Sequence, residues 1–227
     1  MGSNPVSLIG GFQEHGSGKP FSFMETILLA SGSPRRREIL EQYGFPLVVR
    51  PTDTDESLRD HLPVGERVTA LALDKARAAL AAARDGDPRW VLSADTLVSV
   101  DGGVLGKPRD RDQARFFLRS LSGVPHRVST GLAFADRGSG AVRTILEETE
   151  VVFAELADEE IERYLDTGEW QGAAGAYRIQ GRAAFLVERV SGSWSCVVGL
   201  PLRAFYVILR DSGYPLGGRP ERPEPRV

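Results

Sequence analysis

Three arginines open a helix in this sequence, a place where cations are unfavourable unless an anion joins them. The segment Ser31-Gly32-Ser33-Pro34-Arg35-Arg36-Arg37 reads as a strand-to-helix turn, with Ser33 as N-cap and Pro34 in the first helical turn. A helix N-terminus already carries roughly half a positive charge, so guanidinium groups there cost up to about 1 kcal/mol each when the site is empty. Backbone amides, the Ser31 hydroxyl and the forks of Arg35 and Arg36 together make a cradle for a phosphate or triphosphate. The competing reading is an exposed basic helix start balanced by Glu38 and Glu41 one turn on.

Carboxylates form the second group. Asp95-Thr96 is expected at the end of a strand running from Trp90 to Ala94, where open α/β sheets present ligand-contacting side chains. A carboxylate there can hold a divalent metal or orient a water; a turn-capping Asp is the alternative. Asp53, Asp55 and Glu56 form an acidic cluster in the loop after the second strand, which reads first as solvated loop charge. Lys75 in an Ala- and Leu-rich helix, and Lys107 in Leu105-Gly106-Lys107-Pro108, each read as snorkelling surface lysines whose value is collective. The small-residue stretch Gly172 to Gly181 carries one amide side chain, Gln180, and suits close backbone packing around a flat ligand. His126 reads as structural, Trp194 as core and Cys196 as an inert buried thiol.

The elements that must position these residues alternate in type. Thr26 to Ala30 is a short apolar strand, and the helix after Pro34 carries Ile39, Leu40 and Tyr43 at helical spacing before Gly44 stops it. Leu47 to Val49 is a strand, Gly65 to Ala83 a helix, and Trp90 to Ala94 and Leu97 to Val100 two strands. Asp110 to Leu121 is a helix. Arg127 to Ala135 and Val142 to Phe153 make a long antiparallel hairpin around Arg137-Gly138-Ser139-Gly140. Asp158 caps a helix to Leu165, Phe185 to Val190 is a strand, and Pro201 opens a last helix to Arg210. This order implies an α/β layered fold with a mixed sheet.

Composition limits what such a fold could do. The chain has 227 residues, 41% hydrophobic and 26% charged, with net charge −3, enough for a sizeable core and without the basic footprint of a nucleic-acid binder. No apolar run reaches the roughly 20 residues that span a bilayer, and the first 24 residues show no export signal. One cysteine excludes an internal disulfide and, with three scattered histidines, gives no zinc spacing. A cytoplasmic location fits. Residues 1–24 and 217–227 read as flexible extensions around a single domain at 25–216, and a homodimer is compatible with this reading.

Several short motifs fall in one order: Leu29-Ala-Ser31-Gly-Ser33-Pro-Arg35-Arg36, Lys75-Ala76, Ala94-Asp95-Thr96, Gly106-Lys107-Pro108, Ser122-Gly123 with His126 and Thr130-Gly131, Gly175-Ala-Tyr177 with Ile179-Gln180-Gly181, and Val198-Gly199-Leu200-Pro201-Leu202. Together, from about Ile27 to Leu209, they resemble the Maf family of nucleoside triphosphate pyrophosphatases. The resemblance implies an elongated, two-lobed α/β fold with a central cleft, shared with inosine triphosphate pyrophosphatases. It also implies cleavage between α- and β-phosphates with a divalent cation, Mg2+ or Mn2+. Asp95 then matches a general base, with Glu56 and Asp95 on the metal. Ser31, Arg35, Arg36, Lys75 and Lys107 match polar cleft residues, and Arg35, Thr96 and Gln180 match positions that set base preference. Tyr177-Arg-Ile-Gln180 and the Ser193 to Gly199 segment are similar to the dTTP/UTP branch, although Gly172-Ala173 stands where that branch usually has Asp-Lys. Alternatives are the 7-methyl-GTP branch, nucleotidyl transfer to a sugar phosphate, and a non-catalytic regulator linked to cell division.

Overall fold

The computed structural model describes residues 24–216; the extensions expected at 1–24 and 217–227 lie, apart from Met24, outside the described residues. Strands β1 (Ile27–Leu29), β2 (Leu47–Val49), β3 (Trp90–Val100), β4 (Gly103–Leu105), β5 (Pro125–Asp136), β6 (Val142–Phe153) and β7 (Val187–Ser191) form one mixed sheet. Its order is β2-β1-β3-β5-β6-β7, with β4 paired to β3. β1 runs parallel to both β2 and β3, and the remaining pairs are antiparallel. The helices are α1 (Pro34–Gln42), α2 (Val64–Ala81), α3 (Arg111–Leu121), α4 (Asp158–Asp166), α5 (Trp194–Val198) and α6 (Leu202–Asp211).

Local chemistry explains most of these elements. In α3, Ala114, Phe117, Leu118 and Leu121 recur at helical spacing on the buried face, and the Asp110 carboxylate accepts from the Gln113 amide at 2.8 Å to cap it. Asp101 and Gly102 both adopt positive φ, the backbone that an Asp-Gly hairpin turn between β3 and β4 requires. The main core lies on one face of the sheet, where Trp90 stacks on Phe134 and the apolar faces of α1, α3, α4 and α6 converge. On the other face α2 packs close through Ala72, Ala76 and Ala79 against Val91, Ala133 and Ala135.

Four expectations are corrected. The two strands expected at Trp90–Ala94 and Leu97–Val100 are one continuous strand, because β5 pairs with β3 from Trp90 through Ser99 and carries the polar Asp95-Thr96 step within the ladder. Asp95 and Thr96 therefore sit inside a strand rather than at its end. The strand expected from Phe185 begins at Val187 instead: its partner β6 ends at Phe153 opposite Val187, and the preceding Arg182–Leu186 segment coils into a 3-10 helix with Phe185 90% exposed. Asp158 is the first residue of α4 rather than its cap, which is Ala157; the Ala157 amide donates to Glu160 Oε2 at 2.9 Å. Trp194, expected in the core, opens the short helix α5 and is half-exposed.

Candidate active site

The site is built around a gap in the sheet. β5 covers one edge of β3 almost throughout, while the other edge pairs with β1 only as far as Leu92 and with β4 only from Val98. The stretch Ser93 to Leu97 is left open on that edge. Since successive strand residues point to opposite faces, Asp95 and Thr96 look in opposite directions from the floor of one opening.

On the Asp95 face, α2 supplies Lys75, whose Nζ donates to Asp95 Oδ1 at 2.6 Å. Lys75 is largely buried there rather than snorkelling at the surface. Two features bring α2 this close. Ser93 Oγ donates to the Ala72 carbonyl at 2.6 Å. Gly131, the cross-strand partner of Asp95, has no side chain: a Cβ there would lie 2.5 Å from the Val68 carbonyl oxygen, inside helix backbone that cannot move aside locally.

On the Thr96 face, Arg36 occupies the gap. Its Nη1 donates to the Ala94 carbonyl at 2.9 Å and to Ser31 Oγ at 2.8 Å, its Nε to the Gly199 carbonyl at 2.8 Å, and its Nη2 to Thr96 Oγ1 at 2.9 Å. The guanidinium thus gives the Ala94 carbonyl, on the open edge, the donor that a neighbouring strand would have offered. Arg36 lies on the buried face of α1 with Ile39 and Leu40, at i+3 and i+4, and that spacing is the sequence signal that separates it from its neighbours. Arg37 is exposed and pairs with Glu41.

Arg35 differs from both. It lines the cleft half-buried, and burial followed by the nearby positive charge of Arg178 lowers its pKa. Arg178 was missed by sequence reasoning. Its Nη2 donates to the Gln171 carbonyl at 2.7 Å, its amide donates to Tyr164 Oη at 3.1 Å, and its buried Nε has no hydrogen-bond partner among the described residues. Burial pushes the Tyr164 phenol up to about 12. Buried Tyr177 and Ile179 alternate with the less buried Arg178 and Gln180, and Tyr177, Arg178 and Gln180 all line the cleft.

The loop carrying Gln180 is shaped by its glycines. Gly175 adopts φ +66° where a Cβ would press on Val98 at 3.1 Å, and the Gly175 amide donates to the Gly106 carbonyl, tying the Lys107 arm to this loop. Behind it His126 Nε2 and Tyr177 Oη are 2.9 Å apart, and burial pushes the imidazole down to about 4, as expected of a structural histidine. Cys196 is buried, and burial raises its thiol pKa.

One cleft of about 1000 Å³ collects Ser31, Arg35, Arg36, Lys75, Asp95 and Thr96, and beyond them Lys107 and Gln180. A separate hollow of about 280 Å³ beside Asp101 and Arg127 holds none of them. Asp53 is exposed, and Asp55 caps the 3-10 helix Glu56–Arg59 by accepting from the Ser57 amide at 3.0 Å. Glu56 begins that helix; its side chain lies outside the described residues. Among the described residues no three His, Cys, Asp or Glu side chains gather as a metal cage. Mg2+ needs no such cage, because one or two carboxylates and the oxygens of a bound phosphate suffice. Asp95, a hard-oxygen donor beside cleft cations, fits that mode.

The chain is 48% identical over 192 residues to a protein named dTTP/UTP pyrophosphatase from Anaeromyxobacter dehalogenans, covering 84% of this chain and 95% of that one. It is 47% identical over 193 residues to a protein of the same name from Symbiobacterium thermophilum, covering 85% and 97%. Among solved structures it is similar to a nucleoside-triphosphatase, dITP/XTP pyrophosphatase, from Mycobacterium abscessus, at 13% identity and TM-score 0.37 over 58% of this chain and 75% of that one. A family profile described as Maf-like protein matches residues 26–212, the whole span from β1 to the end of α6. The chain belongs to the Maf-like protein family.

Proposed function

We propose that this protein is a nucleoside triphosphate pyrophosphatase that hydrolyses dTTP and UTP to the monophosphate and pyrophosphate. One observation carries the reading: two neighbouring residues, Asp95 and Thr96, face opposite ways from the floor of one cleft, so a phosphate chain and a base can be handled on either side of a single strand. The names of the relatives at 47–48% identity support the same substrates.

In this reading Asp95 Oδ1 is held by Lys75, and Oδ2 orients a water for attack on the α-phosphorus and takes its proton. Lys75, Lys107 and Arg35 neutralise the triphosphate and the departing pyrophosphate, with Ser31 at the head of the phosphate-binding turn. Asp95, with Glu56 as the family resemblance implies, would hold a divalent cation, Mg2+ or Mn2+, which when bound spreads the phosphate charge and aligns the leaving group. Gln180, at the far end of the cleft, offers an amide to the base.

A screen of nucleoside triphosphates with Mg2+ and with Mn2+, reading pyrophosphate and nucleoside monophosphate together, tests this. Equal release of both products, fastest for dTTP and UTP, is expected. Orthophosphate instead of pyrophosphate, or product formed only when a sugar phosphate is supplied, would replace the reading with another.

A further inference from the structure

We propose that Thr130, buried behind the cleft, fixes the hydrogen-bond polarity of Thr96 and makes it an obligate acceptor that reads the N3–H of uracil and thymine and turns away cytosine. The proposal rests on the cleft being a pyrimidine nucleotide site and adds how that site tells its bases apart.

A threonine hydroxyl has one hydrogen and two lone pairs. Thr130 Oγ1 lies 3.0 Å from the Cys196 carbonyl oxygen, which can only accept, so the Thr130 hydrogen is committed there. Thr96 Oγ1 and Thr130 Oγ1 are 2.9 Å apart across the β3–β5 ladder, where the two residues are direct partners. With its own hydrogen spent, Thr130 can only accept from Thr96, and the Thr96 hydrogen is committed in turn. Arg36 Nη2, a donor without any acceptor capacity, fills one Thr96 lone pair at 2.9 Å. The chain of bonds runs one way: Arg36 to the Thr96 oxygen, Thr96 to Thr130, Thr130 to the Cys196 carbonyl. What Thr96 has left for a ligand is a single lone pair.

Thr96 lines the cleft, and a Cβ on Gly199 would come within 3.3 Å of its Oγ1, so the glycine keeps the approach open. Uracil and thymine carry a hydrogen on N3 and meet the lone pair with a donor. Cytosine offers a lone pair at N3, and two acceptors face each other. Arg178, which also lines the cleft, adds a donor that suits a ring carbonyl of the imide and opposes the amine of cytosine. Guanine, with a donor at N1, passes the Thr96 test; the device separates uracil and thymine from cytosine only. An ordinary hydroxyl could rotate to suit either base, and the buried Thr130 removes that freedom.

The test is kcat/KM for dTTP, dCTP, UTP and CTP in the wild type, in Thr130→Val and in Thr130→Ser, with calorimetric binding of dTMP and dCMP to each. Thr130→Val keeps the shape and frees the Thr96 hydrogen. The dTTP-to-dCTP ratio should fall about tenfold, the scale of one mismatched buried hydrogen bond, with dCTP turnover and dCMP binding rising in absolute terms. A variant that is merely loosened would lose activity on both nucleotides. Thr130→Ser, which keeps the hydroxyl, should restore the wild-type ratio, and Thr130→Ala serves if the valine variant does not fold. A wild-type ratio in Thr130→Val or Thr130→Ala, or a serine variant as indiscriminate as the valine one, overturns the role of Thr130. A wild type that neither hydrolyses dTTP and UTP nor binds dTMP overturns the substrate reading itself.

Discussion

Lys75 Nζ and Asp95 Oδ1 are 2.6 Å apart across the boundary between helix and sheet, and this pair exists because Gly131 lets α2 lie directly on the strand beside Asp95. The glycine, the lysine and the carboxylate are far apart in sequence and form one device. Asp95→Asn keeps the shape and the contact with Lys75 but removes the base. We expect kcat for dTTP to fall by about two orders of magnitude or more with little change in Tm. Near-normal turnover by a folded variant would take Asp95 out of the chemistry.

Arg35 and Arg36 should part company under substitution. Arg35→Ala removes a cation pressed against Arg178, so substrate handling should suffer by about 1.5–3 kcal/mol in kcat/KM, the worth of a charge-assisted hydrogen bond, while Tm holds or rises. Arg36→Ala strands the Ala94 and Gly199 carbonyls, each costing about 1–3 kcal/mol, and should lower Tm markedly. Arg36→Lys should not rescue it, because one ammonium cannot reproduce the forked contacts. Thermal melts beside steady-state kinetics separate the two residues.

Much of this was legible in the sequence where punctuation is local. Leu47–Val49, the hairpin from Arg127 to Phe153 and the helix after Pro34 stand where apolar runs, turn residues and a proline place them. Asp95 was singled out but misplaced, since a polar pair inside a run of apolar residues looks like a strand end until a partner strand is known to run past it. Arg36 could not be told from Arg35 by type alone, because its acceptors lie 58 and 163 residues away; only its shared face with Ile39 and Leu40 marked it as internal. Arg178 was hidden in a loop that reads as small residues. Trp194 shows the opposite failure: size argued for burial, yet the short helix it opens leaves it half-exposed.

Gln180 should govern selectivity more than speed. It is exposed at the rim of the cleft, and its amide can offer both a donor and an acceptor to an imide edge. Gln180→Ala should flatten the dTTP-to-dCTP ratio by more than it lowers dTTP turnover. An unchanged ratio would leave base choice to Thr96 and the arginines beside it.

Acid should loosen the lobe formed by α3 and α4. Arg111, Arg115 and Arg119 on α3 face Asp166, Glu162 and Asp158 on α4, each series spaced one turn apart, and Arg111 reaches Glu162 and Asp166 at 2.7 Å each. Hydrogen bonds from Arg115 and Arg111 pull the Glu162 carboxyl from its ordinary 4.5 down to about 2. A folded pKa below the unfolded one means that this contribution is complete above about 4.5 and is lost as pH falls toward 2. In Glu162→Gln the decline of Tm over that interval should be shallower than in the wild type; parallel curves would assign acid sensitivity elsewhere.

The bond from Arg36 to Gly199 also carries a consequence for synthesis. It joins residues 163 positions apart, and until the ribosome has released the segment around Gly199 the arginine lacks one of its anchors and the floor of the cleft is unfinished. A nascent chain that has completed β1, α2 and β3 still lacks Gly131, which seats the lysine on its carboxylate, and the last anchor of the arginine beside them. The cleft floor is therefore completed only when the segment around Gly199 has emerged, and a message cut short upstream of it yields a chain whose arginine has one anchor missing.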